Sequence, residues 1–376
     1  HQVFTWQNFG GISRYYADLF DQLTPALGVS PVLALKYSDN AHLRDTARVR
    51  DLFQPKSACK LPLKARLRRR YRASYDAAAK NRQHAAAQLA KGDYDIAHPT
   101  YFEPYFLEHL GGKPYVITVY DLIHEVFPEQ YLFDTTVRSK EEVIRGARRV
   151  IAISHATKKD LVEIFRIPAE KIDVVHLATS FSPETCPPAR LTLPEKFFLH
   201  VGSRGGYKNC YFLLRALREI LQTDSSLHVI CAGGGPFAEI EKIYIQNLGL
   251  SDRVHYHEAS NPSLVALYQR AIALLCPSLY EGFGLPVTEA FNCGCPVLSS
   301  RSSSLVEVAG EAALYFDPKN ILSIQDAVLR VLKNPALLAE LREKGTRRAK
   351  DFSPQKCARE TAAVYARVLG RSTTAV

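Results

Sequence analysis

Residues 271–300 limit the fold more than any other stretch. Ala271-Ile-Ala-Leu-Leu-Cys276 is an apolar run of strand length, and Pro277–Gly284 is a loop with two glycines. A helix is expected to follow, and then a second apolar run, Pro296-Val297-Leu298. Strand, loop, helix and strand in that order make the repeating unit of a parallel α/β sheet. Pro286 suits the first helical turn, because proline pre-sets φ and lacks an N–H that would be orphaned there. The remaining N–H groups of that turn, with those of Gly282 and Gly284, form a site for an anion. Helical side chains lean towards the N-terminus, so Glu289 reaches back over the loop towards Glu281. Acceptor-only carboxylates beside an anion site suit a ligand bearing both phosphates and free hydroxyls. A nucleotide sugar is such a ligand.

Seven residues separate Glu281 from Glu289, and they include Gly282-Phe283-Gly284-Leu285-Pro286. With Ala290 and Cys293-Gly294-Cys295-Pro296-Val297, the segment resembles the signature of retaining GT-B glycosyltransferases of family GT4. An ordinary βα turn with helix-capping acids is the plain alternative, but it leaves both glutamates and the proline unexplained together. The resemblance implies an α/β, GT-B architecture: two Rossmann-like domains with parallel sheets facing across a cleft. It also implies that Glu281 holds donor-sugar hydroxyls and Glu289 the ribose. The amides of Gly282, Phe283, Gly284 and Leu285 would then receive the departing nucleoside diphosphate.

A related segment lies upstream. Lys196–Val201 is a strand that runs into Gly202-Ser203-Arg204-Gly205-Gly206-Tyr207-Lys208-Asn209. In the family, a glycine after this strand precedes basic residues that clamp the diphosphate. That implies Gly202, Arg204 and Lys208 as donor contacts, with two cations neutralising two phosphates without a metal. Exposed loop cations are the alternative. The usual Arg-Lys-Asn ending stands here as Tyr207-Lys208-Asn209. Leu227–Ala232 and Gly233-Gly234-Gly235-Pro236 read as a strand and a turn, implied by the resemblance to pack near base or ribose. Ser302–Gly310 is similar to the family's Ser-x-Pro-Glu-Val-x-Gly segment, with Val306 in place of the proline.

The N-terminal half starts with a Gly10-Gly11 turn, and a helix is expected just after it, with Leu19, Phe20 and Leu23 on its apolar face. The resemblance implies a first strand ahead of this turn, most of which the sequence lacks. It also implies a loop facing the sugar diphosphate, with Gly11 allowing close approach and Arg14 reaching acceptor or phosphate. A tight turn with a solvent-facing arginine is the alternative. Val32–Leu35, Tyr94–Thr100 and Tyr115–His124 read as strands, the last two ending in polar tips where open α/β sheets place ligands. Many family members carry a histidine just before the Asp-Leu of the last segment. Here Tyr120 precedes Asp121, and His124 follows. His124 replaces the family histidine, or Tyr120 supplies a hydroxyl, or His124 is a core residue bonded to backbone. Asp121 is retained.

Pro183, Pro187, Pro188 and Pro194 interrupt the pattern and place a linker at 181–194. The expected domains are therefore 1–180 and 195–352, followed by a helical tail, 353–376, which the resemblance implies crosses back to the first domain.

A net charge of +10 is unevenly spread. From Lys56 to Arg72 there are eight Lys or Arg and no acid, interleaved with leucines and Tyr71. This is a solvated helix face or a basic amphipathic segment resting on anionic lipid head groups. No nucleic-acid motif accompanies it. Eight cysteines are scattered without zinc spacing, which suits a reducing cytosol. The expected location is cytoplasmic, peripheral on the inner face of the plasma membrane. No methionine occurs and the sequence opens at His1, which fits a trimmed chain or one missing modified residues such as selenomethionine. The Glu281-to-Glu289 spacing runs unbroken.

The resemblance implies a metal-independent, retaining transferase that needs no cofactor beyond a nucleoside-diphosphate sugar. The Gly10-Gly11-Ile12-Ser13-Arg14 and Gly202–Asn209 patterns resemble those of bacterial enzymes that build surface polysaccharide, O-antigen or capsule, often mannosyltransferases. That favours a GDP-sugar over a UDP-sugar, with an oligosaccharide or lipid-linked glycan as acceptor. The expected catalytic set is Glu281, Lys208, Arg204, His124 and Asp121. A GT-B epimerase or phosphorylase is one alternative, and a non-catalytic nucleotide-sugar-binding scaffold subunit is another.

Overall fold

The computed structural model describes residues 1–46, 48–58, 69–132 and 136–371, without the side chains of 69–75 and 136–138. The chain divides into unit 1, His1–Leu177 with Pro354–Val376, and unit 2, Ala178–Ser353.

In unit 1, α1 (Gln2–Trp6), α2 (Gly11–Gln22), α3 (Ala41–Asp45) and α4 (Arg69–Lys91) precede the sheet. Then come β1 (Val116–Val119), α5 (Ile123–Val126), α6 (Thr136–Gly146), β2 (Arg149–Ala152), α7 (His155–Glu163) and β3 (Ile172–Val174). The three strands are parallel in the order β1-β2-β3, with Val116 opposite Arg149 and Val150 opposite Ile172. All four residues of β1 are buried, as expected of a parallel strand covered on both faces. At the start of α2, the Gln7 side-chain oxygen accepts the Ser13 N–H at 3.1 Å. A Cβ on Gly10 would lie 2.6 Å from that oxygen, so a larger residue there would push the Gln7 side chain out of this cap.

Val32–Leu35 and Tyr94–Thr100, expected as strands, form no ladder. A single bridge, Ala97 to Tyr115, joins the second segment to its neighbour. The reason is physical: both border a cavity of about 1000 Å³ whose lining includes Leu33, Ala34, Ile96 and Ala97. On that side neither has a strand against which to complete its hydrogen bonds.

Unit 2 runs β4 (Lys196–Val201), α8 (Cys210–Thr223), β5 (Leu227–Ala232), α9 (Glu239–Asn247), β6 (Val254–His257), α10 (Asn261–Arg270) and β7 (Leu274–Cys276). It continues with α11 (Leu285–Asn292), β8 (Val297–Ser300), α12 (Ser303–Ala309), β9 (Ala313–Phe316), α13 (Ile321–Lys333) and α14 (Pro335–Ala349). Its six strands are parallel in the order β6-β5-β4-β7-β8-β9. Phe198, Val229, Leu275 and Leu298 from the sheet pack with Leu213, Leu217 and Val328 from α8 and α13. The order reverses direction between β4 and β7. At such a point the loops leaving the two strands diverge and open a crevice beyond their C-terminal ends.

The last helix, α15 (Pro354–Val368), belongs to unit 1 and packs against α2, with Ala358, Ala362 and Val364 buried. Tyr365 Oη lies 2.6 Å from Nδ1 of His98, whose Nε2 lies 2.9 Å from Thr118 Oγ1. Burial pushes His98 down to about 3 from an ordinary value of 6.5. Its folded pKa is depressed, so its contribution is complete above the unfolded value and is lost as the pH falls below it. The slope is about 1.4 kcal/mol per pH unit. Lowering the pH from about 6.5 to 4.5 is therefore expected to cost unit 1 roughly 2–3 kcal/mol through His98. Thermal melts across that range check this: His98→Gln should lose most of that acid sensitivity, and an unchanged pH slope would refute the assignment.

No helix among the described residues is long and apolar enough to cross a membrane. Residues 59–68 of the basic segment lie outside the described residues, and Lys56, its first member, is buried. Lys56 therefore does not share a solvated or lipid-facing surface. Seven of the eight cysteines are described, and all seven are free thiols.

Candidate active site

The loops that leave β4 and β7 meet at the reversal of the unit 2 sheet. The Leu279 N–H donates to the Tyr207 carbonyl at 2.8 Å. Asn209, held at φ 58°, donates its amide to the carbonyls of Pro277 (3.2 Å) and Pro318 (2.8 Å). Asparagine is among the few non-glycine residues that adopt this left-handed conformation readily. These bonds bring Lys208 against Glu281, with Nζ 2.7 Å from Oε1. Ser278 Oγ donates to the same oxygen at 2.6 Å. Among the described residues Oε2 of Glu281 accepts no hydrogen bond.

Burial works against the Lys208 ammonium, but Glu281 and then Tyr207 outweigh it, so its pKa stands above the ordinary lysine value. The group is a permanent cation, and one of its three N–H donors is used by Glu281. Burial, then Glu281, pushes the neighbouring Cys276 thiol up to about 12, which leaves it an inert apolar neighbour.

The Glu281 backbone is fixed by the serines that follow β8. Its N–H donates to Ser303 Oγ at 2.8 Å, and its carbonyl accepts from Ser303 (2.9 Å) and Ser304 (2.7 Å). Ser300 and Ser302 both donate to the Ser278 carbonyl, at 2.6 and 2.8 Å. Gly284 caps α11 at φ 104°, with Pro286 in the first turn. Glu289 lies on α11, is buried, and accepts from Tyr268 Oη at 3.0 Å through Oε2.

Arg204, expected as the second cation of a diphosphate clamp, is engaged elsewhere. Its guanidinium pairs with both oxygens of Glu241, at 2.6 and 3.0 Å. It also donates to the carbonyls of Gly233 (2.7 Å) and Gly235 (2.9 Å). Gly233, Gly234 and Gly235 all have positive φ, and a Cβ on Gly234 would meet both Arg204 and the Gly202 carbonyl at 3.0 Å. Arg204 thus holds the glycine turn against the Gly202 loop, and little of its fork is left for a ligand. Arg204→Ala would strand Glu241, itself buried, and is expected to cost about 3–5 kcal/mol. Arg204→Lys should restore little, because a single ammonium cannot replace the planar fork. Chemical denaturation measures both, and an alanine variant as stable as the parent would refute the role.

The remaining expected residues lie in unit 1. Gly11 is the first residue of α2, and Asp121 Oδ1 accepts the Ile123 N–H at 3.1 Å, starting α5. His124 stacks on Tyr131 with ring centroids 4.3 Å apart. Tyr120 packs edge-on against Tyr15 and Tyr16, and among the described residues its buried hydroxyl makes no hydrogen bond. The structure therefore assembles Lys208, Glu281, Gly202 and the 282–285 turn in one unit, and Gly11, Asp121 and His124 in the other. Asn209 and Ser278 stand inside the sequence segments singled out above but were given no role there, and Glu241 lies outside them. The one visible signal for this support was the density of serines from Ser299 to Ser304.

Residues 187–350 match the family described as Glycosyl transferases group 1, and residues 9–180 match Glycosyltransferase Family 4. The chain is 28% identical over 287 residues to O-antigen chain mannosyltransferase B of Escherichia coli, spanning 73% of this chain and 74% of that one. It is 29% identical over 309 residues to the MMP alpha-(1->4)-mannosyltransferase of Mycolicibacterium hassiacum, spanning 76% and 74%. Its fold is similar to that of Anabaena HepE in complex with UDP and glucose, with a TM-score of 0.68 at 18% identity over 95% of this chain and 96% of that one.

Proposed function

We propose a donor and a chemistry from one premise: the chain belongs to the group 1 glycosyltransferases, with a family 4 domain in its N-terminal half. The reaction is transfer of a hexose, mannose by preference, from a nucleoside diphosphate to a glycan or lipid-linked acceptor with retention at the anomeric carbon. The observation that carries it is the Lys208–Glu281 pair at the sheet reversal of unit 2. Lys208 has N–H donors to spare for a phosphate, and Glu281 Oε2 has lone pairs to spare for a sugar hydroxyl. The two groups hold each other in place before the donor arrives, which is the arrangement that stabilises developing charge without reorganisation.

In the reaction the bond from the anomeric carbon to phosphate oxygen breaks, and its electron pair leaves with the diphosphate. Lys208 and the amides of residues 282–285 receive that charge. The acceptor oxygen bonds to the same face of the anomeric carbon, and its proton passes to the departing phosphate. Glu289 holds the ribose, and Gly202 lets the backbone come close to the diphosphate. The similarity to mannosyltransferases supports mannose, and with it GDP. Thermal-shift titration with GDP and UDP, followed by transfer assays with GDP-mannose and UDP-glucose, tests the choice. GDP should give the larger shift and GDP-mannose the turnover; the reverse order would overturn the mannose assignment.

A further inference from the structure

Two strained backbone positions border the Lys208–Glu281 pair. Among the described residues, three that are not glycine hold a positive φ: Arg166 in unit 1, and Asn209 and Ser303 in unit 2. Asn209 follows Lys208 in the chain, and Ser303 is bonded to Glu281. Asparagine enters the left-handed region readily, but serine does so at a cost that glycine would not bear. Such strain persists only where the surrounding structure over-determines it, and it clusters at functional sites.

The Ser303 hydroxyl shows what the strain secures. Ser302 is extended, with φ −132° and ψ 146°, and at Ser303, with φ 39°, the chain turns sharply into α12. Successive side chains of an extended chain point to opposite faces. Here the turn brings two successive hydroxyls to one residue: Ser303 and Ser304 both donate to the Glu281 carbonyl, at 2.9 and 2.7 Å. Ser303 Oγ also accepts the Glu281 N–H at 2.8 Å, so one hydroxyl holds that residue by both of its backbone groups. The residues that follow seat the rest of the loop. Ser304 Oγ lies 3.0 Å from the Phe283 carbonyl, and Leu305 leaves no room for a Cβ on Gly284. The bonds from Lys208 and Ser278 both go to Oε1 of Glu281, so the direction of Oε2 depends on where the backbone stands.

We propose that Ser303 is a positioning residue of this site: its hydroxyl, kept at a strained turn, fixes the Glu281 backbone and so aims Oε2 at the donor sugar. The sugar comes from the transferase reading, whereas the clamp itself rests on the geometry alone.

Three variants of the full chain separate aim from stability. Ser303→Gly and Ser303→Ala both lose the hydroxyl, but only glycine relieves the strained φ. Ser303→Thr keeps the hydroxyl and adds a β-branch that worsens the strain. Turnover should follow the hydroxyl: kcat falls by about tenfold or more in the glycine and alanine variants and stays within about threefold of the parent in the threonine variant. Melting temperature should follow the strain, with glycine above alanine and threonine below the parent. Binding of the free nucleoside diphosphate, which carries no sugar for Glu281 to touch, should change less than about threefold. Amide hydrogen exchange at Glu281 reads the clamp without turnover; it should be about tenfold faster or more in the glycine and alanine variants. A Glu281 amide as protected in Ser303→Gly as in the parent overturns the clamp. Faster exchange with parental kcat in Ser303→Gly overturns the positioning role and leaves the transferase reading standing. A kcat that tracks melting temperature across the variants assigns Ser303 to stability alone. Absence of transfer by the parent from any nucleotide sugar overturns the transferase reading, and the exchange rates then still decide the clamp. Where Ser303→Thr does not fold, the glycine and alanine variants decide.

Discussion

Replacing Lys208 with alanine is expected to lower kcat for sugar transfer about 100- to 1000-fold, with a smaller effect on donor affinity. The asymmetry follows from when the charge is needed. A nucleotide sugar already carries its diphosphate charge when bound, but the bridging oxygen gains charge only as the glycosidic bond breaks. A buried, fixed ammonium acts most strongly at that moment. The variant should remain folded, because Glu281 keeps its hydrogen bond from Ser278 Oγ when the lysine is gone. The expected stability cost is about 2–3 kcal/mol, within the margin of an ordinary domain. Steady-state kinetics, circular dichroism and equilibrium binding of the nucleoside diphosphate together check the prediction. Transfer at the parental rate would remove Lys208 from the mechanism.

Substituting Gly284 by alanine is expected to cost about 3–5 kcal/mol and to abolish donor binding. Two independent effects add. At φ 104° a Cβ is strained whatever surrounds it, and that Cβ would also lie 2.6 Å from Leu305 Cδ2. Leu305 is fully buried, so its methyl has nowhere to go. Leu305→Ala leaves a cavity of its own, so the clash is read from a cycle: in a Leu305→Ala background Gly284→Ala should cost only the backbone part, of order 1–2 kcal/mol. A Gly284→Ala cost that is the same in both backgrounds would show that the clash had been misjudged.

These two sites mark how far the sequence could be read. Pro286, Gly284 and the glutamates lie within one continuous stretch, so chain-local rules place the loop, the helix start and both carboxylates. The strands of unit 2 were legible for the same reason: each is a buried apolar run ended by glycine or a polar cluster. Arg204 was harder. Its type and position suit a phosphate clamp, but its partner Glu241 lies 37 residues away. A long-range buried pair of this kind leaves no pattern in the chain. The serines after β8 show the converse, because their number is conspicuous while their targets at Ser278 and Glu281 are set only by the pairing of β7 with β8. In unit 1 two apolar runs satisfied every local rule for strands yet formed no ladder, because a ladder depends on a neighbour and not on the run itself.

Unit 2 is one uninterrupted stretch of chain, whereas unit 1 is closed by α15, made after unit 2. During synthesis the second unit can therefore be finished while the first still waits. Until α15 leaves the ribosome, the face of α2 that it covers stays open, and His98 lacks the Tyr365 hydroxyl. The first unit is closed only after the second has been made, so the nascent chain carries an exposed apolar seam throughout the synthesis of unit 2.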